Sequence, residues 1–430
     1  MTDMIFRSYR VFTPEGERPA DVAVSGGRIA SVAGHGALTG PDVIDLGECA
    51  LLPGLVDTHV HVNEPGRTQW EGFDTATRAA AAGGVTTIVD MPLNSIPPTV
   101  DPAALAVKRA AAAEQCYVDV GFWGGAVPGN AAELPRLHAQ GVFGFKAFLI
   151  DSGVPEFPPL DPAGLEQALR AVDALFVLHA EDPALVRTPA HAAHFTDFVA
   201  SRPPQAEASA VATAIGLARR TGARVHILHL AAAEAVAEIA KAKADGVRVT
   251  AETCPHYLTL RADQVPDGAT EFKCCPPVRD GAHQDALWQG LRDGVIDAVV
   301  SDHSPCPPEL KAGDFATAWG GIASVQLSLP VVWTAAVTRA VPLAQVVGWM
   351  AQAPADLVGL PGKGRIAVGA DADLVAFDPE AEFTVDAAAL LHRHPVSPYQ
   401  GRRLRGVVRD TWLRGRLAGA EPFGRLLERP

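Results

Sequence analysis

The chain has 430 residues, of which 48% are hydrophobic and 20% charged, a balance typical of globular enzymes and far from the disordered and fibrous classes. Its 36 Lys and Arg against 49 Asp and Glu leave a net charge of −13, which argues against a nucleic-acid or anionic-membrane surface. The length exceeds a usual single domain but suits an α/β barrel with a small companion domain.

The N-terminal segment Met1-Thr2-Asp3-Met4-Ile5-Phe6-Arg7 lacks the basic and apolar stretches of a signal peptide, and no run approaches the roughly 20 apolar residues of a membrane span. The six cysteines (Cys49, Cys116, Cys254, Cys274, Cys275, Cys306) form no C-x-x-C pair. A cytoplasmic protein with reduced thiols is therefore expected.

Residues 4–50 read as short strands joined by turns, as in Phe12-Thr13-Pro14-Glu15-Gly16 and Val24-Ser25-Gly26-Gly27-Arg28-Ile29. From 51 to 305 short β-rich apolar runs alternate with Ala-rich helical stretches, the pattern of repeated βα units. Eight runs are countable, at 51–60, 85–91, 117–123, 142–150, 175–179, 224–230, 247–252 and 296–302. Helices are predicted at 71–82, 101–115, 161–173, 206–220, 231–244 and 283–293. Eight units suggest a closed (β/α)8 TIM barrel over 51–363, with active-site residues at the strands' C-terminal ends. Residues 364–378 and 404–418 likewise read as short strands joined by turns, and the basic stretch from Arg402 to Arg416 as a solvated strand pair. Neither flank can build a good core alone, so 1–50 and 364–430 are expected to fold together as one small β-sandwich domain.

His59 and His61 close the first run. Residues i and i+2 of a strand share a face, so the two imidazoles can grip one cation. Alone, the pair reads equally as two unrelated polar residues. Other runs end in Gly144-Phe145-Lys146, Leu178-His179-Ala180-Glu181, His226-Ile227-Leu228-His229 and Ser301-Asp302-His303, and a barrel aims all of these at one opening. An ammonium at Lys146 would be costly there and would repel divalent cations. If its pKa is depressed, the neutral amine can capture carbon dioxide as a carbamate; taken singly, without the histidines, a salt bridge or a snorkelling side chain is the better reading.

With these residues in place, the chain resembles the amidohydrolase superfamily over nearly its whole length, in the cyclic-amide branch of dihydroorotases, hydantoinases and allantoinases. The resemblance implies His-x-His on strand one (His59, His61), a carboxylated Lys on strand four (Lys146), one His each on strands five and six (His179, His229) and an Asp on strand eight (Asp302). Within the branch the chain is most similar to allantoinases, through Asn63-Glu64-Pro65-Gly66-Arg67, Met91-Pro92-Leu93-Asn94-Ser95, Phe148-Leu149-Ile150-Asp151-Ser152-Gly153, Glu252-Thr253-Cys254-Pro255-His256-Tyr257, Phe272-Lys273-Cys274-Cys275-Pro276-Pro277 and Trp319-Gly320-Gly321-Ile322. Dihydroorotases usually carry Arg two places after the second His, where this chain has Asn63; hydantoinases carry a Tyr shortly after the lysine, and none follows Lys146 here. Without an Arg to pair a carboxylate, a substrate ring lacking one is favoured.

The resemblance implies hydrolysis of allantoin to allantoate by a hydroxide bridging two divalent ions, zinc by the ligand chemistry, with cobalt, manganese or nickel allowed. His59, His61, Lys146 and Asp302 would hold one ion, and Lys146, His179 and His229 the other. Asp302 would also move the proton from water to the departing nitrogen. A homotetramer is implied as well. The alternatives are a hydantoinase or dihydropyrimidinase, a dihydroorotase, and a non-catalytic scaffold, which characteristically loses ligands that are all present here. His226 is expected to face away from His229, His303 to support Asp302 from behind, and His256 to approach substrate or hold a loop. Asn63, Asn94, Asp151, Ser152, Cys275 and Ser304 are candidate substrate contacts, though turn formation accounts for several equally. Asp314 to Ser324 is a candidate closing segment.

Overall fold

The computed structural model describes residues 3–430. Its centre is a parallel barrel of Leu55–Val60, Val85–Asp90, Asp119–Phe122, Phe145–Phe148, Leu175–His179, Arg224–Ile227, Val249–Thr253 and Ala298–Val299. These strands are buried almost throughout, which is why they read as unbroken apolar runs rather than alternating ones. Strand three joins strand four through Phe143 N–H to the Phe122 carbonyl at 3.0 Å, and a Val60–His303 bridge with His61 N–H on the His303 carbonyl at 2.8 Å closes the ring. The expected helices appear within a few residues of their predicted bounds, among them Phe73–Ala82, Pro102–Ala112, Pro162–Ala171, Pro204–Thr221, Ala233–Ala244 and Gly281–Arg292. Asp101 and Asp161 cap two of them ahead of a proline in the first turn, accepting from Ala104 N–H and Gly164 N–H. Among the described residues no helix is long and apolar enough to cross a membrane.

The run 51–60 is not one strand. It breaks at Gly54, where a Cβ would lie 2.2 Å from the Thr86 hydroxyl. Ala50–Pro53 instead pairs parallel with Met4–Thr13 and antiparallel with Leu374–Thr384, inside the eight-stranded sheet of the terminal segments. This sheet belongs to the small β-sandwich domain, whose core includes Phe6, Val22, Ile29, Leu51, Leu374 and Trp412. Phe6 meets Trp412 edge to face with centroids 4.9 Å apart. Ala50, Leu52, Val375 and Phe377 belong to the barrel core, whereas Leu51, Leu374 and Ala376 belong to the small one. The two strands therefore have a domain on each face, and their apolarity gives no alternation to read.

Within 364–378 the turns occupy 364–373, where Asp371 and Asp373 fold around the Lys363 ammonium at 3.0 and 2.7 Å, and the strand begins at Leu374. One further expectation changes. Residues 424–429 leave the small domain and run along the barrel, with Gly424 N–H on the Cys116 carbonyl and Leu427 N–H on the Val120 carbonyl, both at 2.8 Å. The basic stretch is a strand pair, Arg403–Leu413 with Arg416–Leu417, and five of its six arginines are matched with acids, as in Arg409 with Asp378 at 2.7 Å.

Candidate metal centre

The barrel brings His59, His61, Lys146, His179, His229 and Asp302 to the wall of one cavity of about 310 Å³, a volume suited to a small molecule. All six are buried. His59, Lys146 and His179 lie within barrel strands, and the other three in the segments that follow. His229 and Asp302 have φ of 38° and 45°, a left-handed conformation uncommon for residues other than glycine and found where a site over-determines the backbone. The His59 and His61 rings are 5.4 Å apart, His59 and His229 5.5 Å, and His179 and His229 4.6 Å. Asp302 Oδ1 lies 3.1 Å from His59 Nε2 and 3.4 Å from His61 Nε2.

Burial opposes charge on His59, but the Asp302 and Glu252 carboxylates outweigh it and lift its pKa to about 9. Burial would raise Asp302, yet the neighbouring imidazoles hold it well below the usual carboxylate range. Burial lowers His61 to about 4 and depresses His179 and His229. The same cause brings Lys146 down to about 7, with Asp302 and Glu252 opposing.

The donor set fits divalent ions on a direct test. His61 Nδ1, Lys146 Nζ and His229 Nδ1 are buried without a hydrogen-bond partner, an arrangement that is costly unless such atoms serve another purpose. The ammonium position of Lys146 is 4.3 Å from the Phe148 ring centroid, and no carboxylate pairs with it among the described residues. His59 Nδ1 faces Glu252 Oε1 at 2.5 Å and His179 Nε2 faces Glu181 Oε2 at 2.8 Å. Each carboxylate accepts the N–H of that nitrogen and leaves the other for an ion, which at His59 would displace the second proton that the raised pKa retains.

Asn94, Asp151, Ser152, Cys275 and Ser304 line the same cavity. Asp151 and Ser152 also tie their own loop, through Gly153 N–H on Asp151 Oδ1 at 3.1 Å and Ser152 Oγ on the Phe157 carbonyl at 2.6 Å. Asn63 is a correction. It is fully buried but off the cavity wall, with Nδ2 donating to the Pro305 carbonyl at 3.4 Å. His256 is buried with neither ring nitrogen bonded and does not line the cavity. His303 is fully buried, its Nδ1 accepting from Ser324 N–H at 3.1 Å and its Nε2 3.6 Å from Glu71 Oε2.

Sequence reasoning assigned no role to Glu181, Glu252 and Arg202, and read His226 only as facing away from His229. Glu181 and Glu252 hold ligating candidates, His226 Nε2 faces Glu252 Oε2 at 3.0 Å, and Arg202 sits on the cavity wall. The available signal was an acid beside the strand-end histidines, and Glu181 shares two-residue spacing with His179. The suspected closing segment contributes Thr317 to Gly321 to the wall. It is pinned from beneath, with Lys311 Nζ on the Gly321 carbonyl at 2.6 Å and Lys273 Nζ on the Ala318 carbonyl at 2.5 Å.

The amidohydrolase family model matches residues 50–418. An allantoinase of Streptomyces avermitilis is 56% identical over 99% of both chains. The allantoinase of Saccharomyces cerevisiae is 47% identical, over 86% of this chain and 82% of its own. Among solved structures, the L-hydantoinase (dihydropyrimidinase) of Arthrobacter aurescens superposes with a TM-score of 0.92 at 31% identity, covering 100% of this chain and 98% of that one.

Proposed function

The chain belongs to the amidohydrolase family, and on that premise we propose that it hydrolyses the hydantoin-ring amide of allantoin to give allantoate. One observation carries the reaction class: four imidazoles, a carboxylate and an unpaired, depressed lysine amine meet in one small cavity. Similarity to allantoinases over most of the chain supports the substrate.

His59, His61, Lys146 and Asp302 are the proposed ligands of one ion, and Lys146, His179 and His229 of the second. A lysine ligand requires its amine to add carbon dioxide, forming a C–N bond and releasing a proton, which converts a cation into an oxygen donor. Burial supports this by favouring the neutral amine. Imidazole and carboxylate donors favour zinc. When bound, the pair of ions would polarise the amide carbonyl and make water nucleophilic near neutral pH. The Asp302 carboxylate takes the proton of the attacking water; hydroxyl adds to the amide carbon, the C–N bond breaks, and Asp302 returns the proton to the departing nitrogen. Asn94, Asp151, Ser152, Cys275 and Ser304 are proposed to contact substrate.

We assign catalysis to 51–363, with 1–50 and 364–430 as the companion domain, tied in by Ala50–Pro53 and the tail along the barrel. A cytoplasmic homotetramer is part of the same proposal. The test compares allantoin, hydantoin, dihydrouracil and dihydroorotate on one metal-replete preparation. Allantoin is expected to give the highest kcat/KM. A higher value for any of the other three would overturn the substrate assignment and leave the reaction class standing.

A further inference from the structure

The two supported histidines differ in what stands behind them. Glu252 is anchored by His226, which is fully buried and in turn faces Thr250 Oγ1 at 2.7 Å, so that chain ends inside the protein. Glu181 is anchored by Arg202, whose Nε meets Oε1 at 3.0 Å and whose Nη2 meets Oε2 at 2.6 Å. The same Oε2 takes His179 Nε2 at 2.8 Å. Arg202, unlike His226, forms part of the cavity wall, beside Cys275. Glu181 occupies one edge of its guanidinium, and Nη1 has no protein hydrogen-bond partner among the described residues.

We propose that Arg202 positions His179 through Glu181 and, with the remaining edge of its guanidinium, receives a carbonyl oxygen on the substituent of the substrate ring. It would thus be a positioning and specificity residue at once. The second half rests on the allantoin reading, since allantoin carries a ureido group on its ring and hydantoin does not. A planar guanidinium bound bidentately on one edge keeps its remaining donors in a fixed direction, as a Lys ammonium does not. A substrate that engages Arg202 would steady the Glu181–His179 contact, and one without the substituent would not.

The holoenzyme and the variants Arg202→Met, Arg202→Lys and Glu181→Gln provide the test, with zinc per chain measured after dialysis against a graded chelator and kcat/KM measured for allantoin and hydantoin. Arg202→Met should weaken retention of one of two zinc ions by about 10–100-fold and lower the allantoin-to-hydantoin ratio by about tenfold or more. Arg202→Lys should recover part of the zinc but not the ratio. Glu181→Gln should weaken zinc retention and, by loosening the guanidinium, lower the ratio by less than Arg202→Met does, and it serves if Arg202→Met fails to fold. Undiminished zinc retention in folded Arg202→Met or in Glu181→Gln would overturn the positioning role, and an unchanged ratio in Arg202→Met or recovery of the ratio by Arg202→Lys the specificity role. Zinc retention is read without substrate, so failure of the allantoin reading is seen separately, as wild-type protein that does not turn allantoin over.

Discussion

Lys146 shows how one residue can be costly for stability and necessary for chemistry. A fully buried amine without a partner opposes folding in its charged form, and its depressed pKa of about 7 is the consequence. Replacing it with Ala removes the proposed shared ligand. The expected outcome for Lys146→Ala is loss of most bound metal and a fall in turnover of at least about a hundredfold, partly reversed by a small carboxylic acid that supplies the missing oxygens. Metal analysis checks the first part, and full metal content in the variant would refute the bridging role. The strand-end histidines, Lys146 and Asp302 are legible in the sequence because each follows directly on an apolar run. Arg202 is not, because it lies just past the helix Phe195–Ser201 and reaches Glu181 across 21 residues with no periodic relation to it.

At the scale of elements, the small domain's first two strands carry a local electrostatic tie. The Asp21 carboxylate accepts from Arg7 Nε at 2.8 Å and Nη2 at 2.9 Å, and from Gly36 N–H at 3.0 Å and Leu38 N–H at 2.9 Å, so it fixes the turn after Arg28–Gly34 as well as the strand pair. The Arg7 hydrogen bond outweighs the burial of Asp21 and lowers its pKa from the ordinary 3.8 to about 2. A folded-state pKa below the unfolded one means that the tie stabilises fully above the ordinary value and is lost as pH falls through about 2. Asp21→Asn should therefore lower the thermal midpoint at neutral pH, and the gap from wild type should narrow across that acid window. A gap independent of pH would show that the carboxylate's charge is not what holds the turn. Chain-order reading finds these strands from their turns, but it misses the break at Gly54, since Leu52 and Leu55 are equally apolar on either side of it and both enter the barrel core.

Across the whole molecule, the strands Ala50–Pro53 and Leu374–Thr384 contribute residues to both cores, so neither core can be dismantled without exposing part of the other. A second link is ionic. Lys363 Nζ reaches Asp119 on barrel strand three at 2.6 Å and Asp373 at 2.7 Å, while Arg414 Nη1 meets both Asp119 oxygens at 2.7 Å. These groups are nearly all buried, so removing the ammonium leaves carboxylates that water cannot easily solvate. Lys363→Met should cost about 3–5 kcal/mol, the range for breaking a buried pair from one side. Because the cores share a sheet, the loss should lower a single calorimetric transition rather than split it, in contrast to domains joined only by a linker. Two separated transitions in the wild-type protein would mean that the shared strands do not couple the domains. A split in the variant alone would mean that the Lys363 link, and not the shared sheet, makes unfolding cooperative.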